Sequence, residues 1–337
     1  MTLPRLDHAL QTAALELPPD ARLAFLEPNA EFDVTAFEGA SVQVQQNDKP
    51  GYDRFAALGA TVATHVDGPV DVVHVTLPRS RELARGLIAQ AQEIAPEGLV
   101  IVDGAKTDGI DPALKAVKAR TEIDGQLSKA HGKLFWFRAS DAFSDWTLPA
   151  PAPVTEGWIT QPGVFSADGP DAGSQALVAA LPPSLKGQGA DLGGGWGFLT
   201  RHLLALPKVT HVEFVEADHR ALTCAKLNLD DDRVAFHWAD ATTWGAPASL
   251  DWVVTNPPFH TSRTPDASLG QAFIASAARL LKPKGQLILV ANRHLPYETT
   301  LAARFVHVKE LEGDARFKIL HAEQPRSPDR SGASRRR

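Results

Sequence analysis

The sequence predicts an α/β protein built from two tandem domains, each with a mostly parallel sheet. Three observations carry this. The chain has 337 residues, with 44% apolar and 22% charged side chains, enough for two domains with cores of their own. Short apolar runs alternate with Ala-rich amphipathic stretches of helical length, which is the pattern of βαβ units. The two halves also echo each other across a Pro-rich seam, Leu148-Pro-Ala-Pro-Ala-Pro153, which reads as a linker.

The echo can be followed element by element. Asp71-Val-Val-His-Val-Thr-Leu-Pro78 aligns with Asp251-Trp-Val-Val-Thr-Asn-Pro-Pro258. Each is followed by an amphipathic helix and then by Pro-x-Gly and a strand, Pro96–Val102 in one half and Pro283–Val290 in the other. Further on, Lys133-Leu-Phe-Trp-Phe137 matches Arg316-Phe-Lys-Ile-Leu320. The halves differ at two places. Thr76-Leu77 stands where the second half has Asn256-Pro257, and Leu23-Ala-Phe-Leu-Glu-Pro28 stands where the second half has Asp191-Leu-Gly-Gly-Gly-Trp-Gly197. One copy keeps a fold, and the other keeps a site. The expected boundaries are residues 1–150 and 151–322, followed from Glu323 by a Pro/Ser/Arg-rich tail, 323–337, that reads as disordered.

Charge and composition narrow the function classes. Net charge is −6, and residues 1–150 hold 14 Lys+Arg against 21 Asp+Glu, a balance of −7, whereas 151–337 sum to +1. A wide basic face for bare nucleic acid is excluded, so any such contact is local. Cys224 is the only cysteine and reads as a helix core residue; it leaves no disulfide framework and no thiolate metal site. No metal is expected. The N-terminal stretch carries acids and prolines and lacks a long apolar run, so neither a signal peptide nor a membrane anchor is expected, and a cytoplasmic location follows.

Ala190-Asp-Leu-Gly-Gly-Gly-Trp-Gly-Phe-Leu-Thr200 reads as a strand, a glycine turn and a helix start. Gly193, Gly195 and Gly197 allow backbone to approach a ligand closely. By itself the spacing is weak, because structural turns share it. The next strand, Val212-Glu-Phe-Val-Glu216, ends in an acid 23 residues past Gly193, placed to accept two ribose hydroxyls. A third strand ends at Asp240, placed to accept from an adenine amino group, although an ordinary helix-capping acid reads the same way. Asp191 would repel a pyrophosphate but attract an ammonium. S-adenosylmethionine has that ammonium, a ribose and an adenine.

In Asp251-Trp-Val-Val-Thr-Asn-Pro-Pro-Phe-His260 an apolar strand stops at Asn256, because proline cannot donate to a sheet ladder. The Asn256 side-chain oxygen and the Pro257 carbonyl can take the two hydrogens of a planar –NH2 group, with Phe259 stacked on its plane. Two acceptors held out of plane favour a pyramidal nitrogen, leaving proximity of about 3–3.5 Å to the methyl carbon as the remaining requirement. A plain strand-ending Asn-Pro turn is the alternative.

These residues resemble the class I S-adenosylmethionine-dependent methyltransferases, and more narrowly the ribosomal RNA small subunit methyltransferase C family with its large-subunit relative. The likeness spans about residues 20–322 and rests on Pro162-Gly-Val-Phe-Ser166, Asp171-Ala-Gly-Ser174, the glycine loop, Asn256-Pro-Pro-Phe-His260, Ala291-Asn-Arg-His-Leu-Pro-Tyr297 and Arg316-Phe-Lys318. The resemblance implies two tandem Rossmann-like methyltransferase domains with seven-stranded sheets, the N-terminal copy degenerate and without a cofactor site. It implies that Asp191, Gly193 and Gly195 line the methionine part of the cofactor, Glu216 its ribose and Asp240 its adenine. Gly173 and Ser174 join the cofactor site, and Phe165 and Ser166 form a flap over it, although Phe165 also reads as core. Asn256, Pro257 and Phe259 face a target guanine. His260, Arg293 and His294 are candidates for phosphate or base contact, or plain turn residues. The family carries a small residue where Trp196 sits and often Cys at Gly194, so packing around the loop differs here.

The implied activity is methylation of a guanine N2 in ribosomal RNA, most directly 16S rRNA within an assembled subunit, with the first half docking substrate or shielding the second while it folds. Two fused similar domains make an obligate dimer unnecessary, so a monomer is expected. Large-subunit rRNA, a protein glutamine side chain, adenine N6, and a catalytically silent RNA-binding assembly factor remain open alternatives.

Overall fold

The computed structural model describes residues 4–29, 31–37, 40–258, 267–311 and 313–326. The chain separates into two compact units, Met1–Ala152 with Gln161–Ala167, and Pro153–Thr160 with Asp168–Arg337. It therefore passes between units three times, and the Pro-rich seam is the first of these crossings. A small ladder of β8 (Ala152–Pro153) and β9 (Ile159–Thr160) lies within this stretch, which includes the first two crossings.

The first unit has strands β1 (Arg22–Leu26), β2 (Ser41–Gln45), β3 (Thr61–Ala63), β4 (Val72–Thr76), β5 (Leu99–Ala105), β6 (Gly125–Lys129) and β7 (Gly132–Arg138). Its helices are α1 (Pro4–Gln11), α2 (Lys49–Ala57), α3 (Arg81–Ile94) and α4 (Ile110–Lys118). The strands form one seven-stranded sheet in the order β3-β2-β1-β4-β5-β7-β6, parallel except at β7 and β6. Both faces are covered, which is why β5 and β7 are apolar without alternation. Val100, Val102, Phe135 and Phe137 point into one core and Ile101, Leu134 and Trp136 into the other. Helix α3 begins where the Ser80 hydroxyl accepts from the Leu83 amide at 3.3 Å, and the chain leaves it just before Pro96.

The second unit repeats this plan. Its strands are β10 (Gly187–Leu192), β11 (Val209–Glu216), β12 (Val234–Trp238), β13 (Leu250–Thr255), β14 (Leu281–Asn292), β15 (Phe305–Leu311) and β16 (Phe317–Pro325). Helices α5 (Ala172–Ala179), α6 (Phe198–Leu204), α7 (His219–Asn228), α8 (Ser268–Leu280) and α9 (Tyr297–Arg304) connect them. The order β12-β11-β10-β13-β14-β16-β15 matches the first sheet position for position. Trp252, Val254, Ile288 and Val290 fill one face, and Val253, Leu287 and Leu289 the other. Fully burying an aliphatic side chain of this kind contributes roughly 1.5–3 kcal/mol.

One boundary needs correction. The segment from Glu323 reads as disordered tail in the sequence, yet β16 runs to Pro325, with Glu323 paired to Gln286 and His307, and Pro325 to Phe305. Neighbours on both sides hold this stretch as a strand despite its polar composition. The arginines at the end of the tail lie outside the described residues.

In the first unit the counterpart of the glycine loop lies at the ends of β1 and β2, beside buried polar side chains. There, side-chain amides are held by a carboxylate, by backbone carbonyls and, in one pair, by each other. Asn47 Nδ2 donates to Glu27 Oε1 at 2.7 Å and to the Thr64 carbonyl at 3.1 Å. Gln46 Nε2 donates to the Pro28 carbonyl at 3.0 Å, and Gln45 Oε1 accepts from Gln90 Nε2 at 2.6 Å. Gln45, Gln46 and Asn47 are all buried.

Candidate active site

In a parallel sheet the carboxyl ends of the strands lie on one edge, and ligands bind where the strand order reverses. In the second sheet that point lies between β10 and β13. The loop after β10 carries the glycines, and the turn after β13 carries Asn256. Thr255 Oγ1 donates to the Leu192 carbonyl at 2.6 Å, tying the two strand tips together. On the other side, β11 ends in Glu216 and β12 leads to Asp240, with the Ala239 amide donating to the Glu216 carbonyl at 3.0 Å. The strand order thus sets Asp240, Glu216, the glycine loop and Asn256 in a row.

The loop is shaped by left-handed backbone. Gly193, Gly195 and Gly197 have φ of 70°, 60° and 99°, a region that side chains resist. The three positions 193–195 differ in what surrounds them. A Cβ at Gly194 would lie 2.3 Å from the Phe214 ring and one at Gly193 3.2 Å from Phe273, whereas a Cβ at Gly195 would have no atom within 4 Å. Gly195 faces open space. Its amide donates to Glu216 Oε2 at 2.7 Å, while Glu216 Oε1 accepts from the Asp218 amide at 2.7 Å. Burial pushes the Glu216 carboxyl up to about 7, against the opposing pull of these backbone donors.

Asp191 is fully buried at the end of β10. Its Oδ2 accepts from Thr200 Oγ1 at 2.7 Å, and its Oδ1 is buried without a hydrogen-bond partner. Burial raises this carboxyl to about 7 as well, with the Thr200 hydrogen bond working against the rise. An orphaned buried carboxylate oxygen beneath the loop, an open glycine face and a ribose-height acid fit a ligand that has both a cation and a nucleoside. Asp240 Oδ1 accepts from the Thr242 amide at 2.8 Å and from its hydroxyl at 2.7 Å, so it also shapes its own turn.

The Asn256 amide is fixed from behind. Nδ2 donates to Asp171 Oδ2 at 3.0 Å and to Ser174 Oγ at 2.9 Å. Asp171 caps α5 at the same time, its Oδ2 accepting from the Ser174 amide at 2.9 Å. A carboxylate accepts and cannot donate, so it selects the nitrogen side of the Asn256 amide and leaves Oδ1 facing the other way. Pro257 is buried next to it, and Pro258 is exposed.

The remaining expected residues fall in several places. Phe165 and Ser166 belong with the first unit, Phe165 being exposed, so the geometry above uses second-unit residues alone. Phe259 and His260 lie outside the described residues. Gly173 is buried, and its missing Cβ makes room for Phe317, 3.2 Å from where that atom would sit. Arg293 is engaged structurally: Nε donates to the Asp314 carbonyl at 2.6 Å, and Nη2 reaches the Phe317 carbonyl at 3.2 Å and Glu310 Oε1 at 3.0 Å. His294 is exposed. Trp196 turns into a cluster with Trp158 and Phe198, ring centroids 5.0 and 5.9 Å away. Cys224 is buried in α7, as expected of a core residue, and burial pushes its thiol up to about 11.

Sequence reading missed the work of Asp171, Thr200 and Thr255. Asp171 and Thr200 stand inside the quoted motifs, but nothing in a linear pattern pairs Asp171 with Asn256. In sequence, Lys318 stands out only as part of the Arg316-Phe-Lys318 motif. It is buried, donates to the Leu295 carbonyl at 2.7 Å and pairs with Glu298, which holds the turn after β14.

The chain is similar to known proteins over most of its length. The family model described as "Methyltransferase small domain" matches residues 157–321. Ribosomal RNA small subunit methyltransferase C of Pseudomonas aeruginosa (strain UCBPP-PA14) is 30% identical over 320 residues, covering 91% of this chain and 92% of that protein. Its counterpart in Shewanella sp. (strain MR-4) is 29% identical over 265 residues, covering 75% and 77%. Among solved structures, the T. thermophilus 16S rRNA N2 methyltransferase, in complex with AdoMet and guanosine, is 25% identical with a TM-score of 0.78, over 95% of this chain and 92% of that one. The chain belongs to the ribosomal RNA small subunit methyltransferase C family.

Proposed function

We propose that this protein transfers a methyl group from S-adenosylmethionine to the exocyclic N2 amine of a guanine in 16S ribosomal RNA. The observation that carries the mechanism is the anchored Asn256 amide, whose nitrogen is held by Asp171 and Ser174. When bound, S-adenosylmethionine supplies an electrophilic methyl group on a sulfonium. The chain's own residues do the rest. Glu216 receives the ribose hydroxyls, Asp240 the adenine amino group, and Asp191 draws the ammonium toward the underside of the glycine loop. Asn256 Oδ1 and the Pro257 carbonyl accept the two hydrogens of the guanine amine. That turns its lone pair out of conjugation and toward the methyl. Preorganised acceptors of this kind cost no rearrangement during reaction. Phe259 stacks on the base in this reading.

A guanine N2 becomes reachable only when its base leaves the helical stack, so a single-stranded or bulged site is the fitting target. The negative balance of residues 1–150 favours an assembled small subunit over bare RNA, met by a single copy of this chain in the cytoplasm. Nucleoside mass spectrometry of rRNA from a strain lacking the protein tests the reading. Loss of one N2-methylguanosine from 16S rRNA, restored by the intact gene and not by Asn256→Ala, is expected. An unchanged 16S profile would refute it.

A further inference from the structure

We infer that the groove between α3 and α4 of the first unit is a docking site for the phosphodiester backbone of ribosomal RNA. The inference rests on the proposed rRNA substrate and adds where the first unit grips it. The groove has a volume of about 90 Å³ and is lined by apolar side chains that include Ile88, Ala113 and Trp146, by three arginines, Arg79, Arg81 and Arg85, which form its cationic rim, and by one carboxylate, Asp108. Trp146 is buried in the adjoining core, with the guanidinium carbons of Arg85 and Arg120 at 5.0 and 4.9 Å from its ring centroid. Arg79 lies 3.7 Å from Asp108 and Arg120 pairs with Asp145. Arg81 and Arg85 make no close ion pair among the described residues, although Arg120 and, more weakly, Arg85 hold the Asp145 carboxyl below its usual range.

Charge decides the partner. Residues 1–150 carry a balance of −7, so a polyanion is repelled by most of this unit and attracted at this rim. Arginine forks match phosphate oxygens bidentately, and an apolar floor beside them accepts a ribose or base face. The place in the fold agrees. Arg79 follows β4, the counterpart of β13, and in the aligned sequences it occupies the position of Phe259. Where the second half has an aromatic residue in sequence, the first has a cation.

The test uses the full-length protein with arginines replaced in two sets, Arg79→Gln with Arg81→Gln, and all three rim positions to Gln. Binding is measured by fluorescence anisotropy against a naked 16S rRNA fragment and against small subunits over a salt series, with S-adenosylmethionine binding followed separately by calorimetry. Each lost phosphate contact removes about 0.7–0.9 from the log–log salt slope, so the triple variant should flatten the slope by roughly 2–3 and weaken RNA binding by tenfold or more. Turnover at saturating RNA should stay within about twofold by the same reasoning, because affinity alone is changed. The exposed double variant should show the same trend at smaller size and guards against misfolding of the triple. Unchanged RNA affinity and slope in both variants would overturn the inference. So would weakened binding to subunits with naked RNA unaffected, which would assign the groove to a ribosomal protein. Because binding is read without turnover, a wild-type protein that bound RNA through these arginines yet methylated none would count against the proposed activity and for the groove.

Discussion

Asn256 Nδ2 donates to Asp171 Oδ2 at 3.0 Å, so an acid that begins one helix sets the orientation of an amide at the end of a strand. Asp171→Ala removes that constraint. The expected result is a fall in kcat of about tenfold or more, equivalent to about 1.4 kcal/mol, with S-adenosylmethionine affinity nearly unchanged. Loss of the α5 cap adds about 1 kcal/mol of destabilisation, visible in thermal melts. Ser174→Ala should show a milder kcat effect, and a double-mutant cycle with Asn256→Ala should be strongly non-additive. Independent, additive effects would show that Asp171 acts elsewhere.

Asn256→Ala removes one acceptor from the amine clamp and should lower kcat by about 100- to 1,000-fold, as the loss of a preorganised transition-state partner does. Asn256→Asp is the sharper variant. It sets a second carboxylate beside Asp171, and the pair must share a proton, so one carboxyl rises well above its ordinary range. Residual activity should increase as pH falls, because only the protonated pair keeps an oxygen aimed at the substrate. A flat pH profile, or activity rising with pH, would contradict this geometry.

Asp191 and Glu216, both raised to about 7 by burial, make the ligand-free protein sensitive to pH. Their unfolded-state values lie near 4, so the native state retains protons that the unfolded chain has released. Stability from these groups is therefore greatest below about pH 4 and declines as pH rises through the window from about 4 to about 7. Cofactor binding should run in the opposite sense. An ammonium near Asp191 and hydroxyl donors on Glu216 favour the carboxylates, so affinity should strengthen from pH 6 to 8 with release of protons. Calorimetry in buffers of different ionisation enthalpy measures that release directly; proton uptake would refute it.

Two neighbouring glycines should respond differently to alanine. Gly194→Ala forces a methyl group against the Phe214 ring at 2.3 Å and should lower the melting temperature. Gly195→Ala meets no neighbour, so its stability cost is confined to left-handed backbone strain of about 1 kcal/mol. The added methyl stands in the space assigned to cofactor and should weaken S-adenosylmethionine binding. Equal melting temperatures and equal affinities in the two variants would remove the distinction between a packing glycine and a ligand glycine.

The parts of the fold and site that were legible in sequence are those where chemistry restricts residue type. Positive φ demanded glycine at 193, 195 and 197. Proline demanded that β13 stop by Asn256, and Glu216 ends its strand as read. The echo between halves announced two similar sheets but not the order of their strands, because apolar runs buried on both faces do not say which strands are neighbours. Asp171 was not legible. A capping aspartate looks the same in sequence whether or not its carboxylate also meets an amide 85 residues away. Nor was the return of 161–167 to the first unit, or the extension of β16 to Pro325, where pairing with Phe305 and His307 outweighs a composition typical of solvated tail.

The buried polar side chains Gln45, Gln46 and Asn47 make the ends of β1 and β2 a costly place to open. Asn47 leans on Glu27, Gln45 on Gln90 and Gln46 on the Pro28 carbonyl, so truncating any one of them strands a hydrogen-bonding group out of water, at about 1–3 kcal/mol. Carving a pocket there one residue at a time would lower stability at every step.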